Sequence, residues 1–457
     1  MTSPLPVSAV TENPPAILPA SPPSRPVILY GTIGLLSFGP LAFGATEPWS
    51  QFFLEAGSAL LFAHWGIQQV KSGTLQIRWN PLFAPMLVFG TLVSFQLLFR
   101  QTASAEHTFS AALLFTSYAL LCFLLVQTLQ PVRQLEWIAR TVSIYGVAIA
   151  LFALVQGFSS NDKLYWLRKP YFGGWIYGPY VNHNHYAGLM EMLTPIPLVI
   201  ALSRRCSTQR RWLAGIAASI MASSILFSGS RGGMIAFLIE LALLAILLLR
   251  HNARSKTMGA MVAFVLLTLA LALWMGDSEL IQRLGSIHTQ ARAELSGGTR
   301  LNIGRDALRM FAQKPLLGCG LGSFPDVYPQ FRSFYTNFWV DHAHNDYLQL
   351  LAEMGMAGFL VVVWFLAITF RAAAKKLRHH EWGINGLAGL TALVGITGIL
   401  IHSLVDFNLQ IPANAAIFYA LCTLAAMKPE FAAASHRPKR RRDSVVIPSL
   451  TAQEPRG

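Results

Sequence analysis

Apolar runs long enough to cross a hydrocarbon core recur along almost the whole of this sequence, and nothing else in it constrains the fold as strongly. Twelve are counted, at about 27–45, 50–67, 82–99, 109–129, 137–157, 186–203, 211–228, 232–249, 257–276, 346–370, 384–403 and 410–427. The expectation is an all-α integral membrane protein of about 12 transmembrane helices. Composition agrees: 53% of the 457 residues are hydrophobic and only 12% are charged, against about 25% charged in an ordinary soluble domain. Carboxylates interrupt the pattern in places, among them Glu55 in the second run and Glu240 in the eighth. An isolated charge at mid-bilayer costs at least about 2.5 kcal/mol, so Glu240 should be protonated or partnered.

Residues 1–25, rich in Pro, Ser and Ala, read as a disordered cytoplasmic tail, and the "HRPKRRR" stretch lies in a second, basic one over 428–457. Between them, 26–174 hold the N-terminal transmembrane helices and 175–427 hold nearly all the unusual polar groups. The formal charge is +14. With twelve spans and the N-terminus inside, most of the 35 basic residues fall in cytoplasmic segments and tails. That distribution encodes topology and argues against a nucleic-acid partner. Cys122, Cys206, Cys319 and Cys422 include only one, Cys319, on the outer side, so no intramolecular disulfide is expected there.

The same topology puts the long loop of about 277–345, between spans nine and ten, outside. Five polar clusters share that face: "YVNHNHYAG" at 180–188, "FSGSRGG" at 227–233, "GGTRLNIGRDALRMFAQKP" at 297–315, the "DHAHND" lip of span ten at 341–346, and "IHSLVDFNLQIP" at 401–412. One extracytoplasmic site built from several helix ends is the economical reading. Blander roles are available: the His and Asn residues as helix caps, and "GSRGG" as a tight turn in which Ser228 or Ser230 caps the next helix. In the loop, Thr299 is an N-cap candidate and Pro315 a stop. Leu301, Leu308 and Phe311 would share an apolar side with Ile303, Ala307 and Met310, laid on the membrane surface. Gly318, Gly320 and Gly322 in "PLLGCGLGSF" suggest a close backbone approach.

Arginine offers paired, permanently charged donors suited to a pyrophosphate, so Arg231, Arg300, Arg305 and Arg309 read as a phosphate clamp. His344, at the positive end of span ten, suits a general base, and the same helix end would attract an anionic leaving group. A metal reading stands beside this one. His183/His185 and His342/His344 are both His-x-His pairs, which in extended chain put both rings on one side.

These blocks resemble a known family. "HNDYLQLLAEMGMAGFL" is similar to the His-Asn-x-x-Leu motif, with its Glu-x-Gly-x-x-Gly continuation through Glu353, of the O-antigen ligase/polymerase superfamily. "YVNHNHYAGLM", "SGSRGG", "PLLGCGLGSF" and "HSLVDFNLQIPANA" resemble its other blocks, in the same order, over about residues 175–420. The Arg-x-x-x-Leu form expected in the loop is met only loosely by "RDAL". The resemblance implies a polytopic glycosyltransferase of the bacterial inner membrane, with no sugar nucleotide, cofactor or metal. It would move a glycan from undecaprenyl pyrophosphate to an acceptor hydroxyl at the periplasmic face, inverting the anomeric carbon. The acceptor is lipid A–core for a ligase and another lipid-linked glycan for a polymerase or exopolysaccharide transferase. Carried over, His344 is the base, Arg231 with Arg300 or Arg305 holds the pyrophosphate, and Asn182, Asn184, His342, Asn345, Glu353, His402 and Asp406 line the site. The rival classes are a lipid-linked glycan flippase or other transporter, which predicts ionisable groups through the membrane's depth, and a scaffold subunit.

Overall fold

The computed structural model describes residues 25–129, 132–159, 161–170, 175–203, 205–250, 255–275, 297–336, 339–378 and 383–427. Residues 1–24 of the first predicted tail, the whole of the second, and loop residues 277–296 lie outside them, while Arg25 opens the first helix. Among the described residues the regular structure is helical, with two isolated β-bridges and no strand. The helices used below are α1 Arg25–Leu41, α2 Pro48–Ser72, α3 Phe83–Leu98, α4 Ala105–Thr128, α5 Val132–Phe158, α6 His183–Leu193, α7 Pro195–Leu202, α8 Thr208–Ser228, α9 Arg231–Arg250, α10 Ser255–Met275, α11 Gly297–Gln313, α12 Asp346–Leu377, α13 Ile384–His402 and α14 Pro412–Ala426.

Each of the twelve apolar runs coincides with helix. Among the described residues eight stretches are long and apolar enough to cross a membrane: α4, most of α5, α6 with α7, α8, α9, most of α10, α12 and α13. Three more, Pro26–Leu41, Phe83–Leu98 and Pro412–Ala426, are apolar but shorter. The remaining run lies in α2, which has the length but carries Glu55, His64 and three glutamines. Eight candidate spans is therefore the figure that length and composition support.

The large buried core draws on α3 to α10 and α12 to α14, and α6 is its most enclosed element, with every residue from His183 to Leu193 buried. The loop helix α11 is a separate matter. It starts at Gly297, so Thr299 stands in its first turn and is not the N-cap. Ile303, Ala307 and Met310 pack into a small core of their own with Cys319, Phe324, Tyr328 and Ala352. Leu301 and Leu308 are exposed at 68% and 47%, so the expected single apolar side is split in two. Ile303, Ala307 and Met310 lie at i, i+4, i+7 and share one stripe, which the loop that follows α11 covers.

That loop is braced against a break in α12. Gly355 adopts φ 60° and ψ −165°, a conformation open essentially to glycine, so α12 has a short N-terminal segment ending at Met354 and a long C-terminal one. The freed backbone groups are taken by the glycine-rich loop. Cys319 and Gly320 donate to the carbonyls of Ala352 and Glu353, while Met356 and Ala357 donate to Pro315 and Leu316. Glu353 completes the brace by accepting from the N–H groups of Gly322 and Phe324. Gln96 of α3 donates to the carbonyls of Leu317 and Glu353 and accepts from Leu321 N–H. The close approach expected of these glycines is real, and each meets the chain itself: Gly318 the Glu353 backbone of α12, Gly320 Thr102, and Gly322 Ala111 and the His107 carbonyl of α4.

Candidate active site

The N-terminal end of α12 is stitched to the connection between α13 and α14. Asn345 caps α12 by accepting from the N–H groups of Tyr347 and Leu348, and its Nδ2 donates to Leu404 O at 2.8 Å. Asp346 N–H donates to Ser403 O, and its carboxylate accepts from Leu409 N–H and Gln410 Nε2. Tyr347 Oη donates to Leu400 O. These bonds fix the 403–411 turn over the lip of α12, so Asp406 and His344 meet because both flanks are held.

Asp406 is the centre of the arrangement and is 1% exposed. Its Oδ1 lies 3.6 Å from His344 Nδ1 and 3.8 Å from His185 Nε2, and its Oδ2 lies 3.8 Å from Arg300 Nη1. Arg300 is anchored by donating from Nη1 to Val405 O at 2.8 Å. Burial alone would push the Asp406 carboxyl up, but the imidazoles of His185 and His344 outweigh it, and the group is held well below the usual carboxylate range. His344 itself takes φ 49°, an uncommon left-handed conformation for a non-glycine residue, so its presentation is imposed by the residues around it.

Phe407 packs among three imidazoles. His342 stacks on its ring at 4.4 Å, while His185 and His344 meet it edge-on at 4.6 and 4.8 Å. His342 is further held by Gln349 Nε2 at 3.1 Å. Burial keeps the His342 ring below the ordinary imidazole range, with the charge of Asp341 pulling the other way. Around this ring cluster, His185 Nε2, His344 Nδ1, Asp406 Oδ2 and Arg300 Nε are all buried and make no hydrogen bond to the described residues. Natural proteins rarely leave so many buried polar atoms unsatisfied at one place, and a substrate site is an ordinary reason for doing so.

The sequence-predicted residues divide clearly. His344, Arg300, Asp406, His342 and Asn345 are brought together. Asn182 caps α6 by accepting from Asn184 N–H, and Asn184 is buried in the first turn. Glu353 serves the loop brace. His402 pairs with Glu191 below the cluster, Nδ1 to Oε1 at 2.8 Å. Arg309 is tied to Asp306, Nη1 to Oδ1 at 3.1 Å, and Asp306 also accepts from Ser333. Arg305 and Arg231 are exposed, and among the described residues it is Arg300 that is seated at Asp406. Ser230, not Ser228, caps α9, through Gly233 N–H.

The paired His-x-His reading is not met at the first motif. His183 and His185 lie on a helix, where residues two apart point in different directions. His183 Nδ1 turns to Ser228 O at 2.8 Å and its ring stacks on Trp175, while His185 faces Asp406. Among the described residues no three His, Cys, Asp or Glu side chains are placed to hold a metal ion.

Three participants escaped the sequence reading. Phe407 carried no signal. Gln349 stands one turn inside the helix entrance, which is a weak one. Glu191 had a clear signal, since a carboxylate inside the apolar run 186–203 poses the same question as Glu240.

Residues 216–363 match the family model described as O-Antigen ligase, which supports placing the chain in the O-antigen ligase/polymerase superfamily. The matched segment runs from α8 through the loop into α12 and carries Arg231, Arg300 and His344. With the helical architecture, it supports a multi-pass membrane protein engaged in glycan transfer of the O-antigen ligase/polymerase type. No curated protein matches the chain.

Proposed function

We propose that the cluster transfers a glycan from undecaprenyl pyrophosphate to an acceptor hydroxyl, at the periplasmic face of the inner membrane. The observation that carries this reading is the convergence of His344, Asp406 and Arg300, each with a buried polar atom left without a hydrogen bond to the described residues. His344 turns Nδ1 toward Asp406, which leaves Nε2 as the nitrogen for the acceptor's proton. Asp406 orients the ring and stabilises the imidazolium that forms, the role a buried carboxylate has behind a histidine base. Arg300 offers a permanent charge to the leaving pyrophosphate, and Arg231, Arg305 and Arg309 are candidates for drawing the anionic donor toward the site.

The acceptor oxygen attacks the anomeric carbon as the bond to the pyrophosphate oxygen breaks, and the hydroxyl proton passes to His344. One displacement inverts the configuration. Positioning and charge stabilisation carry the acceleration, and the scheme asks nothing of a metal.

The test uses the purified protein in lipid nanodiscs with a lipid-pyrophosphate-linked repeat unit and EDTA. A lipid-linked ladder from the wild type, reduced by about 10²-fold or more in His344→Ala, is the expected result and identifies a polymerase. If a ladder forms only when a metal is restored, the metal-independent scheme is wrong. If no ladder forms, lipid A–core is added, and transfer to it identifies a ligase. Silence with both acceptors, together with movement of the intact donor across the bilayer, would replace transfer by transport.

A further inference from the structure

α6 meets the α13–α14 connection at two levels. At the outer level His185 faces Asp406. Six residues further along the same helix, Glu191 Oε1 accepts a hydrogen bond from His402 Nδ1 at 2.8 Å, the two side chains being 0% and 1% exposed. His402 closes α13, and its carbonyl accepts the backbone N–H groups of both Val405 and Asp406, at 3.0 and 3.1 Å. Moving His402 therefore moves the turn that carries the Asp406 carboxylate and the Val405 carbonyl that anchors Arg300.

The neighbouring helix is shaped around this pair. A Cβ on Gly232 would come within 2.8 Å of the His402 ring, and one on Gly233 within 3.1 Å of Glu191 Oε1. Gly232 is thus accounted for by the room that His402 needs, while Gly233 is kept small first by Ala187, whose Cβ would lie 2.7 Å away, and then by Glu191. The second carboxylate oxygen of Glu191 makes no hydrogen bond to the described residues, so the link between α6 and His402 is a single bond.

We propose that Glu191 and His402 are positioning residues for the transfer reaction: their hydrogen bond sets the turn that presents Asp406 to His344. This rests on the transfer reading above. Neither residue supplies a group to the reacting atoms. One acceptor oxygen is all that His402 Nδ1–H requires, so a carboxamide at position 191 should serve where a methyl does not.

The experiment compares wild type, Glu191→Ala and Glu191→Gln in the nanodisc assay over a range of donor concentrations. Glu191→Ala is expected to lower kcat by about tenfold or more while the donor KM stays within about twofold, and Glu191→Gln to recover to within about threefold of wild type. A second readout needs no substrate. Diethyl pyrocarbonate modification, mapped by mass spectrometry, should reach His344 several-fold faster in Glu191→Ala and at the wild-type rate in Glu191→Gln. This arm stands even if the protein transfers no glycan, so the two readings fail separately. Wild-type kcat and wild-type His344 reactivity in Glu191→Ala would overturn the proposal. So would a Glu191→Gln variant as defective as Glu191→Ala in both readouts, which would assign the carboxylate a role as charge or proton carrier. Should Glu191→Ala not fold, His402→Ala against His402→Asn poses the same question from the other partner, with the Asn amide replacing Nδ1–H as donor and the same split expected.

Discussion

Asp406 accepts no proton in the proposed scheme, yet it decides how His344 behaves. Asp406→Asn keeps the size of the side chain and removes the charge behind the imidazole. Transfer should fall by about 10²-fold or more with little change in donor affinity, measured as kcat and KM in nanodiscs. The pH dependence has a definite sign. Because the folded-state pKa of Asp406 is depressed, its contribution to stability is present above the unfolded value of about 3.9 and is lost only as pH falls through the lower folded value. Asp406 should therefore contribute no step to the activity profile above about pH 5. A step near pH 4 that disappears in Asp406→Asn would contradict this. His344 and Arg300 were legible in the sequence because chemistry-bearing residues at a helix lip or in a loop stand out from an apolar background. Phe407 was not, since one more aromatic residue in a membrane protein carries no information until its neighbours are known.

At the scale of elements, the brace between the glycine-rich loop and the break in α12 holds the N-terminal segment of that helix, and so His344, in place. Gly318 has φ 69°, and a Cβ there would fall 2.3 Å from the backbone carbonyl carbon of Glu353. Gly318→Ala and Gly355→Ala should each cost at least about 1–3 kcal/mol, seen as a lowered Tm in detergent, because both strain and contact oppose them. Gln96→Leu should cost about 1–3 kcal/mol by leaving the carbonyls of Leu317 and Glu353 and the Leu321 N–H without their partner. Variants at the exposed Leu301 or Leu308 should leave Tm within about 0.5 kcal/mol equivalent. Helix positions were readable from hydropathy alone, since a run of twenty apolar residues admits few other structures. The break at Gly355 was not, because a glycine in an apolar run is equally compatible with a continuous helix. Nor was the divergence of His183 and His185, which depends on the helix starting at residue 183, where the capping Asn182 places it.

For the whole molecule, the positive-inside reading makes one prediction that labelling can check. A cysteine at Tyr335, 86% exposed in the loop, should react with a membrane-impermeant maleimide in intact cells with a permeabilised outer membrane. Cys206, between α7 and α8, should react only after the inner membrane is opened. Cys319 is a quiet background, being buried with its thiol pushed up to about 11 by that burial. Reversed accessibility would turn the molecule over and place the cluster in the cytoplasm. The enclosure of α6 bears also on how such a chain is made. A segment holding His185 and Glu191 is poorly suited to lipid on its own, and the residue that pairs with Glu191 lies 211 positions later. Synthesis therefore delivers the central helix long before its partner exists. The packing around Glu191 is therefore complete only once α13 has emerged, after α8 to α12 have already been made, so the middle of the fold is settled later than the helices that surround it.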